Sequence, residues 1–283
     1  MPYKDILVHL DGTEPCLHRL DLAAALARRH EAHLVGLYIL DLVPWIAAIA
    51  HSYPGQVEYL DSYAKLRKAA LERAAHVEAQ FREHLRRDDI QGEWRFLESL
   101  PAETVALHAR YVDLAIVGQI DHGDQPDGNA ARIPEVVLFS SGRPVLVVPY
   151  AGRFNSLGEN VLVGWKATRE AARAVNDALP LLERAKKVTV LTINPKRGDD
   201  RETGIPASDI AQHLARHGVA VEAASTVADD ISAGDVLLSR AADCGADLLV
   251  MGGYGHARVK ELMLGGATRQ ILQQMTLPVL MAH

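Results

Sequence analysis

The chain has 283 residues, enough for two domains, and 48% of them are hydrophobic while only 5% are aromatic, so its cores must be mostly aliphatic. Its net charge of −6 argues against binding to nucleic acid or to anionic membranes, both of which attract basic proteins. It has two cysteines, no secretory signal pattern and no run of about 18 apolar residues, so we expect a cytoplasmic protein without a membrane span.

The first half of the chain alternates short apolar runs with helical patterns. Thr13 precedes the first helical pattern, at a position typical of an N-cap. Residues 41–75 include an unusual apolar stretch around Trp45 and lead into a long amphipathic helix. The apolar runs have the Val, Leu and Ile content of buried parallel strands, and they are DILVHL, HLVGLYIL, GEWRFLES, VDLAIVG and PVLVVP.

The second half has the same alternation, with Thr168 at the predicted N-cap of its first helix. Five strands that alternate with helices predict a doubly wound α/β domain in each half, with ligands bound beyond the carboxyl ends of the strands. Asp11, Lys166, Ile193 and Gly252 would then lie on the ligand side. The strands predicted in this half are NVLVGW, KVTVLTI, VAVEAAST, ADLLVMG and PVLMA.

The two halves are copies of one unit. At an offset of 134 residues Asp113 aligns with Asp247 and Gly118 with Gly252, whereas near the start Thr13 aligns with Thr168 at an offset of 155. The first copy therefore has an insertion of about 21 residues, placed within residues 41–75. We predict domains at 1–150 and 158–283, joined by a linker rich in Gly, Asn and Ser.

Glycines cluster at two points of the second copy, around Gly252 and at Gly265–Gly266. A helix that restarts at Gly266 would present the unpaired N–H groups of Gly266, Ala267 and Thr268 to an anion. The alternative is that these glycines serve only the geometry of tight turns.

The spacing of these glycines resembles the nucleotide-binding signature of the universal stress protein family, which is G-x-x-G, nine residues, and then Gly followed by a small hydroxyl residue. The resemblance covers both halves of the chain. It implies a five-stranded parallel sheet of order 3-2-1-4-5 in each half. It also implies that ATP or a related adenine nucleotide binds, with or without Mg, or that no ligand binds if the site is degenerate.

In the second copy the resemblance assigns phosphate and ribose contacts to the glycine loop and places Ile193 near the base. Two positions depart from the family pattern. Gly266 stands where a Ser or Thr is expected, with Thr268 as a substitute hydroxyl, and Lys166 stands where the family has an aspartate. The predicted site consists of Lys166, Ile193, Gly252, Gly255, Gly265, Gly266 and Thr268.

The first copy departs in the opposite way. It keeps Asp11, but Asp121, Ala131, Arg132 and Pro134 stand at the positions of Gly255, Gly265, Gly266 and Thr268. Its acidic loop would repel phosphate, so we predict that this copy does not bind ATP.

The sequence supports one function and leaves two alternatives. It favours a nucleotide-binding stress-response protein, a sensor or regulator with at most slow ATP hydrolysis. A non-nucleotide interaction scaffold that uses the insertion is the first alternative. A nucleotidyl-transfer enzyme is the second, although we find no catalytic residues for it.

The expected partners are a nucleotide and further copies of the same fold. The last strand of each copy would be an apolar edge, so we expect the two copies to pair, and a homodimer could form in addition. His213 and His217 lie four apart on a helix but lack the further ligand that zinc needs, so we predict no metal site.

Overall fold

The computed structural model describes residues 2–41, 56–120, 132–194, 206–253 and 266–283. They divide into two compact units, Pro2–Ser141 and Gly142–His283. The stretch around Trp45, the acidic loop of the first copy from Asp121 to Ala131, and the signature glycines Gly255 and Gly265 lie outside the described residues. In the part of the chain that is described, no helix is both long and apolar enough to cross a membrane.

The first unit alternates strands and helices as the apolar runs predict. Its strands are buried on both faces except at the edge strand, which keeps an alternating pattern. The elements, in chain order, are β1 (Asp5–Leu10), α1 (Glu14–His30), β2 (His33–Leu40), α2 (Gln56–Asp88), β3 (Gly92–Glu98), α3 (Pro101–Ala109), β4 (Leu114–Gly118) and α4 (Ile133–Ser140).

The second unit repeats this alternation after one additional strand at its start. The elements, in chain order, are β5 (Val145–Val148), β6 (Asn160–Gly164), α5 (Arg169–Leu182), β7 (Lys187–Ile193), α6 (Pro206–Arg216), β8 (Val221–Thr226), α7 (Ala233–Asp243), β9 (Leu248–Gly252), α8 (Gly266–Gln274) and β10 (Val279–Ala282).

The strand orders confirm the predicted doubly wound fold. In the second unit the parallel strands lie in the order β8-β7-β6-β9-β10, which is 3-2-1-4-5 within the repeat. In the first unit β3-β2-β1-β4 gives the same order for the first four strands. The fifth strand of the first repeat, β5, is antiparallel to β10, with Val147 opposite Val279. The units therefore divide ahead of β5, whereas the predicted domains follow the sequence repeat.

The insertion of the first repeat appears as a long helix. The crossover between the second and third strands contains α2, with 33 residues, where the second repeat has α6, with 11 residues. Phe81 of α2 packs directly on the second strand at Gly36, where a Cβ would lie 2.7 Å from the ring. The sheet of the first unit is therefore covered by a longer helix than its counterpart.

The two predicted N-caps behave differently. The Thr168 hydroxyl accepts a hydrogen bond from the N–H of Ala171 at 3.3 Å and caps α5 as expected. Thr13 occupies the N-cap position of α1 but makes no cap hydrogen bond. Its hydroxyl instead donates to the Asp11 carboxylate at 2.5 Å, because that acid lies only two residues before it.

Candidate functional site

Three of the predicted site residues lie at the carboxyl ends of neighbouring strands. Ile193 ends β7, Lys166 follows β6 by two residues, and Gly252 ends β9, and these strands are adjacent in the order β9-β6-β7. Ile193 is half-buried, whereas Lys166 is exposed and forms no ion pair with any described residue. This is the edge at which doubly wound sheets bind ligands.

Gly252 is required by packing as well as by position. A Cβ built on Gly252 would lie 2.5 Å from the backbone nitrogen of Ala171 and 2.7 Å from the carbonyl carbon of Glu170. The first turn of α5 therefore rests directly on the end of β9. Close packing of α5 against β9 is therefore sufficient to explain why a glycine stands at position 252, without any contact to a ligand.

Gly266 lies in a different environment, at the start of α8. It is exposed, and no described atom lies within 4 Å of a Cβ built there. The first turn of α8 contains no acidic residue, so its N–H groups face no local carboxylate from the helix itself. Thr268 belongs to the same turn, but only 4% of its surface is exposed.

The first turns of the equivalent helices in the two repeats differ in their charges and in their amides. The first turn of α4, which begins at Ile133, contains Pro134, which has no N–H, and Glu135, whose charge opposes an anion. The first turn of α8 therefore keeps the amide of Gly266 and has no carboxylate, whereas the first turn of α4 lacks one amide and contains a carboxylate.

In the first repeat a buried arginine lies at the carboxyl ends of the strands. Arg19 of α1 is 3% exposed, donates from Nε to the His9 carbonyl at 2.7 Å, and from Nη2 to the Asp11 carboxylate at 2.6 Å. A Cβ on Gly118 would lie 2.1 Å from Nη1 of Arg19. The guanidinium thus lies between the ends of β1 and β4, and Asp11 already has its partner.

The ionisation of this cluster follows from its burial. Burial alone would raise the pKa of the Asp11 carboxyl, but Arg19, His9 and two hydrogen bonds from Thr13 hold it well below its usual range. Burial lowers the pKa of His9 to about 4, with Arg19 acting in the same direction and Asp11 opposing it. At neutral pH the cluster is therefore an Arg19–Asp11 ion pair beside a neutral imidazole.

The family match agrees with this geometry. The model of the universal stress protein family matches residues 2–149 and again residues 158–283. The chain belongs to the universal stress protein family. Both repeats are universal stress protein domains, so the chain is a tandem member of the family.

Solved universal stress proteins have the same fold at low sequence identity. A universal stress protein from Archaeoglobus fulgidus shares 15% identity, with a TM-score of 0.70 over 98% of this chain and 94% of that one. A putative universal stress protein from Pseudomonas aeruginosa shares 16%, with a TM-score of 0.60 over 98% of this chain and 92% of that one. Among the curated proteins, no relative matches. At these identities the likeness shows the fold alone.

Three residues of these universal stress protein domains are not predicted from the sequence. Arg19 lies at helical spacing from Cys16 and Ala23, which are both buried, and this spacing is the signal that could have placed it inside the protein. The apolar runs predict only that Trp165 and Thr192 belong to strands. Both have a fully buried polar atom. Thr189 is a second hydroxyl residue in the same strand, so the sequence gives no signal that singles out Thr192.

Proposed function

We propose that the second repeat binds an adenine nucleotide such as ATP, and that the protein acts as a sensor or regulator. The observation that carries the proposal is the contrast between two equivalent helix starts, one compatible with phosphate and one not. The acid-free first turn of α8 follows β9 in the chain, and β9 lies beside β6, with β7 on the far side of β6. That arrangement offers backbone amides for phosphate and strand ends for the nucleoside.

Each predicted residue then has a defined part. The amides at Gly266 and its successors would hold phosphate oxygens, and Ile193 would offer apolar surface to the base. Lys166, exposed at the end of β6, would supply a positive charge to a phosphorylated ligand. Gly252 would act indirectly, by letting α5 approach the strand. Gly255 and Gly265, as in the family signature, would complete the phosphate loop.

We propose further that turnover is slow or nil, so that binding rather than hydrolysis transmits the signal. A reducing cytoplasm suits the two cysteines, which are both free, with Cys244 exposed. The antiparallel pair of β5 and β10 supports the idea that the repeats pair through their fifth strands. A homodimer remains a further prediction.

The test changes only the charge at the start of α8. We expect Gly266→Asp to abolish ATP binding in titration calorimetry, because the new carboxylate would occupy and repel the phosphate position. Gly266→Asn is the matched control, with the same size and no charge, and should retain binding within about threefold. Both residues are favourable at helix N-termini, so neither should unfold the protein.

The outcomes separate the candidate functions. Heat from wild type and the Asn variant but not from the Asp variant supports a phosphate seat at α8. Mass spectrometry of the denatured wild type should also detect a copurified adenine nucleotide. If wild type neither carries nor binds nucleotide, the proposal fails and the scaffold alternative takes its place. Rapid turnover of radiolabelled ATP would instead support an enzyme.

A further inference from the structure

Four residues form a row across the carboxyl end of the sheet in the second unit. Thr192 is paired with Ser225 in the β7–β8 register, and the N–H of Trp165 donates to the Leu191 carbonyl at 2.9 Å, which places Trp165 beside Thr192. The β6–β9 register ends with Gly164 opposite Met251, so Trp165 lies next to Gly252. Because side chains on paired strands share a face, all four positions belong to one face.

Two polar atoms in this row have no hydrogen-bond partner among the residues that the structure describes. The indole nitrogen Nε1 of Trp165 and the hydroxyl Oγ1 of Thr192 are both fully buried, and neither is bonded to any described residue. Thr192 is 7% exposed as a residue. Buried indole N–H and hydroxyl groups normally find partners, since an unpaired one does not recover its lost hydration. The pair therefore requires an explanation.

The fold itself does not demand polar atoms there. The equivalent row of the first unit consists of Gly118, Leu10, Tyr38 and Phe96, with Leu10 opposite Tyr38 and Tyr38 opposite Phe96. The Tyr38 and Phe96 rings are stacked with centroids 6.1 Å apart. The first repeat fills the row with a leucine and two stacked aromatic rings, and Arg19 lies against its glycine. The second repeat places an indole and two hydroxyl side chains in it.

The position of these two polar groups indicates which ligand they could bind. Trp165 immediately precedes Lys166, and Thr192 immediately precedes Ile193, so the pair adjoins two positions of the proposed nucleotide site. The indole N–H can only donate, whereas the hydroxyl can donate or accept. Adenine offers the complementary set, a ring nitrogen that accepts beside an exocyclic amine that donates.

We propose that Trp165 and Thr192 recognise the adenine base, with the indole N–H donating to a ring nitrogen and the Thr192 hydroxyl accepting from the 6-amino group. This inference rests on the proposed function and adds the base specificity of the same site. Both atoms are buried in the free protein, so the base reaches them only after the packing above them opens. The two hydrogen bonds offset the cost of that opening.

The test removes one hydroxyl from the protein and one amine from the ligand. Thr192→Val replaces the hydroxyl with a methyl group of the same shape, and Thr192→Ser retains it as the matched control. Each is titrated with ATP and with purine riboside triphosphate, which lacks the 6-amino group. We expect Thr192→Val to weaken ATP binding about tenfold and to leave the affinity for purine riboside triphosphate unchanged.

The stability of the free protein is a second readout. Because the Thr192 hydroxyl has no partner among the described residues, Thr192→Val should not lower the melting temperature, so weaker binding cannot be attributed to unfolding. Trp165→Phe, which removes the indole N–H, should also weaken ATP binding about tenfold.

The possible results distinguish the inference from the function beneath it. If Thr192→Val binds ATP as wild type does, or loses both ligands equally, base recognition by Thr192 is overturned while nucleotide binding stands. If wild type binds neither ligand, the proposed function fails and the inference fails with it.

Discussion

His9 and Asp11 show how a single arginine changes the chemistry of a strand end. In the first repeat Arg19 neutralises the acid that the family pattern would assign to a ribose, and it rests against Gly118. At the same offset of 155 in the second repeat, the buried Ala174 aligns with Arg19, and Lys166 aligns with Asp11. The strand end of the first repeat therefore carries an ion pair, whereas that of the second repeat carries a single exposed positive charge.

The buried imidazole of His9 makes the stability of the first unit depend on pH. Its folded pKa of about 4 lies below the unfolded value, so the unfolded chain binds more protons between these two values. Stability is therefore complete above about pH 6.5 and declines as the pH falls toward the folded pKa. Between pH 7 and pH 5 we expect a loss of about 2 kcal/mol in the free energy of unfolding.

Urea unfolding at both pH values, followed by the fluorescence of Trp94 in the first unit, measures this loss. The control is His9→Gln, which has no titrating group and should remove most of the difference between pH 7 and pH 5. The Asp11 carboxyl does not interfere, because its lowered pKa confines its own contribution to more acidic solutions. An equal pH dependence in wild type and variant would contradict this role for His9.

At the scale of elements, two glycines of one signature perform different tasks. Gly252 admits the first turn of α5, whereas at Gly266, the first residue of α8, no described atom lies within 4 Å of a Cβ built there. We expect Gly252→Ala to destabilise the second unit by about 1–3 kcal/mol, because the added methyl would meet backbone atoms that cannot rotate away. Gly266→Ala should be neutral or stabilising by up to about 1 kcal/mol, since Ala favours a helix.

Thermal and urea unfolding of the two variants decide between these roles. A neutral Gly252→Ala variant would mean that α5 can shift, and would return Gly252 to a direct role with the ligand. A strongly destabilised Gly266→Ala variant would mean that the start of α8 is covered, which would also count against phosphate binding there.

These elements show how far the sequence predicts the structure. Strand runs, helical spacing and the internal repeat predict the fold and the strand ends that carry Lys166, Ile193 and Gly252, because periodicity and burial are local properties. The role of Gly252 depends on its distance from Ala171, and the pairing of Asp11 depends on Arg19, eight residues later. Sequence spacing cannot reveal either, since a glycine that admits a helix looks the same as one that admits a phosphate.

At the scale of the whole molecule, β5 belongs to one repeat in sequence and to the other unit in structure. It covers the outer edge of β10, pairing Val145 with Met281 and Val147 with Val279. Without β5, the wholly buried strand β10 would present an unpaired apolar edge. The sequence repeat predicts a unit at 158–283, but the hydrogen bonds predict that the stable unit begins at Gly142.

Two fragments test this boundary. We expect the fragment 142–283 to associate less strongly than the fragment 158–283, because β5 covers the edge of β10. The fragment 158–283 should dimerise or aggregate, since the exposed strand would pair with a second copy. Sedimentation velocity of both fragments over a range of concentrations measures the difference. A monomeric 158–283 fragment with the same melting temperature as 142–283 would show that β10 needs no partner, and that the repeats have no need to pair through their fifth strands.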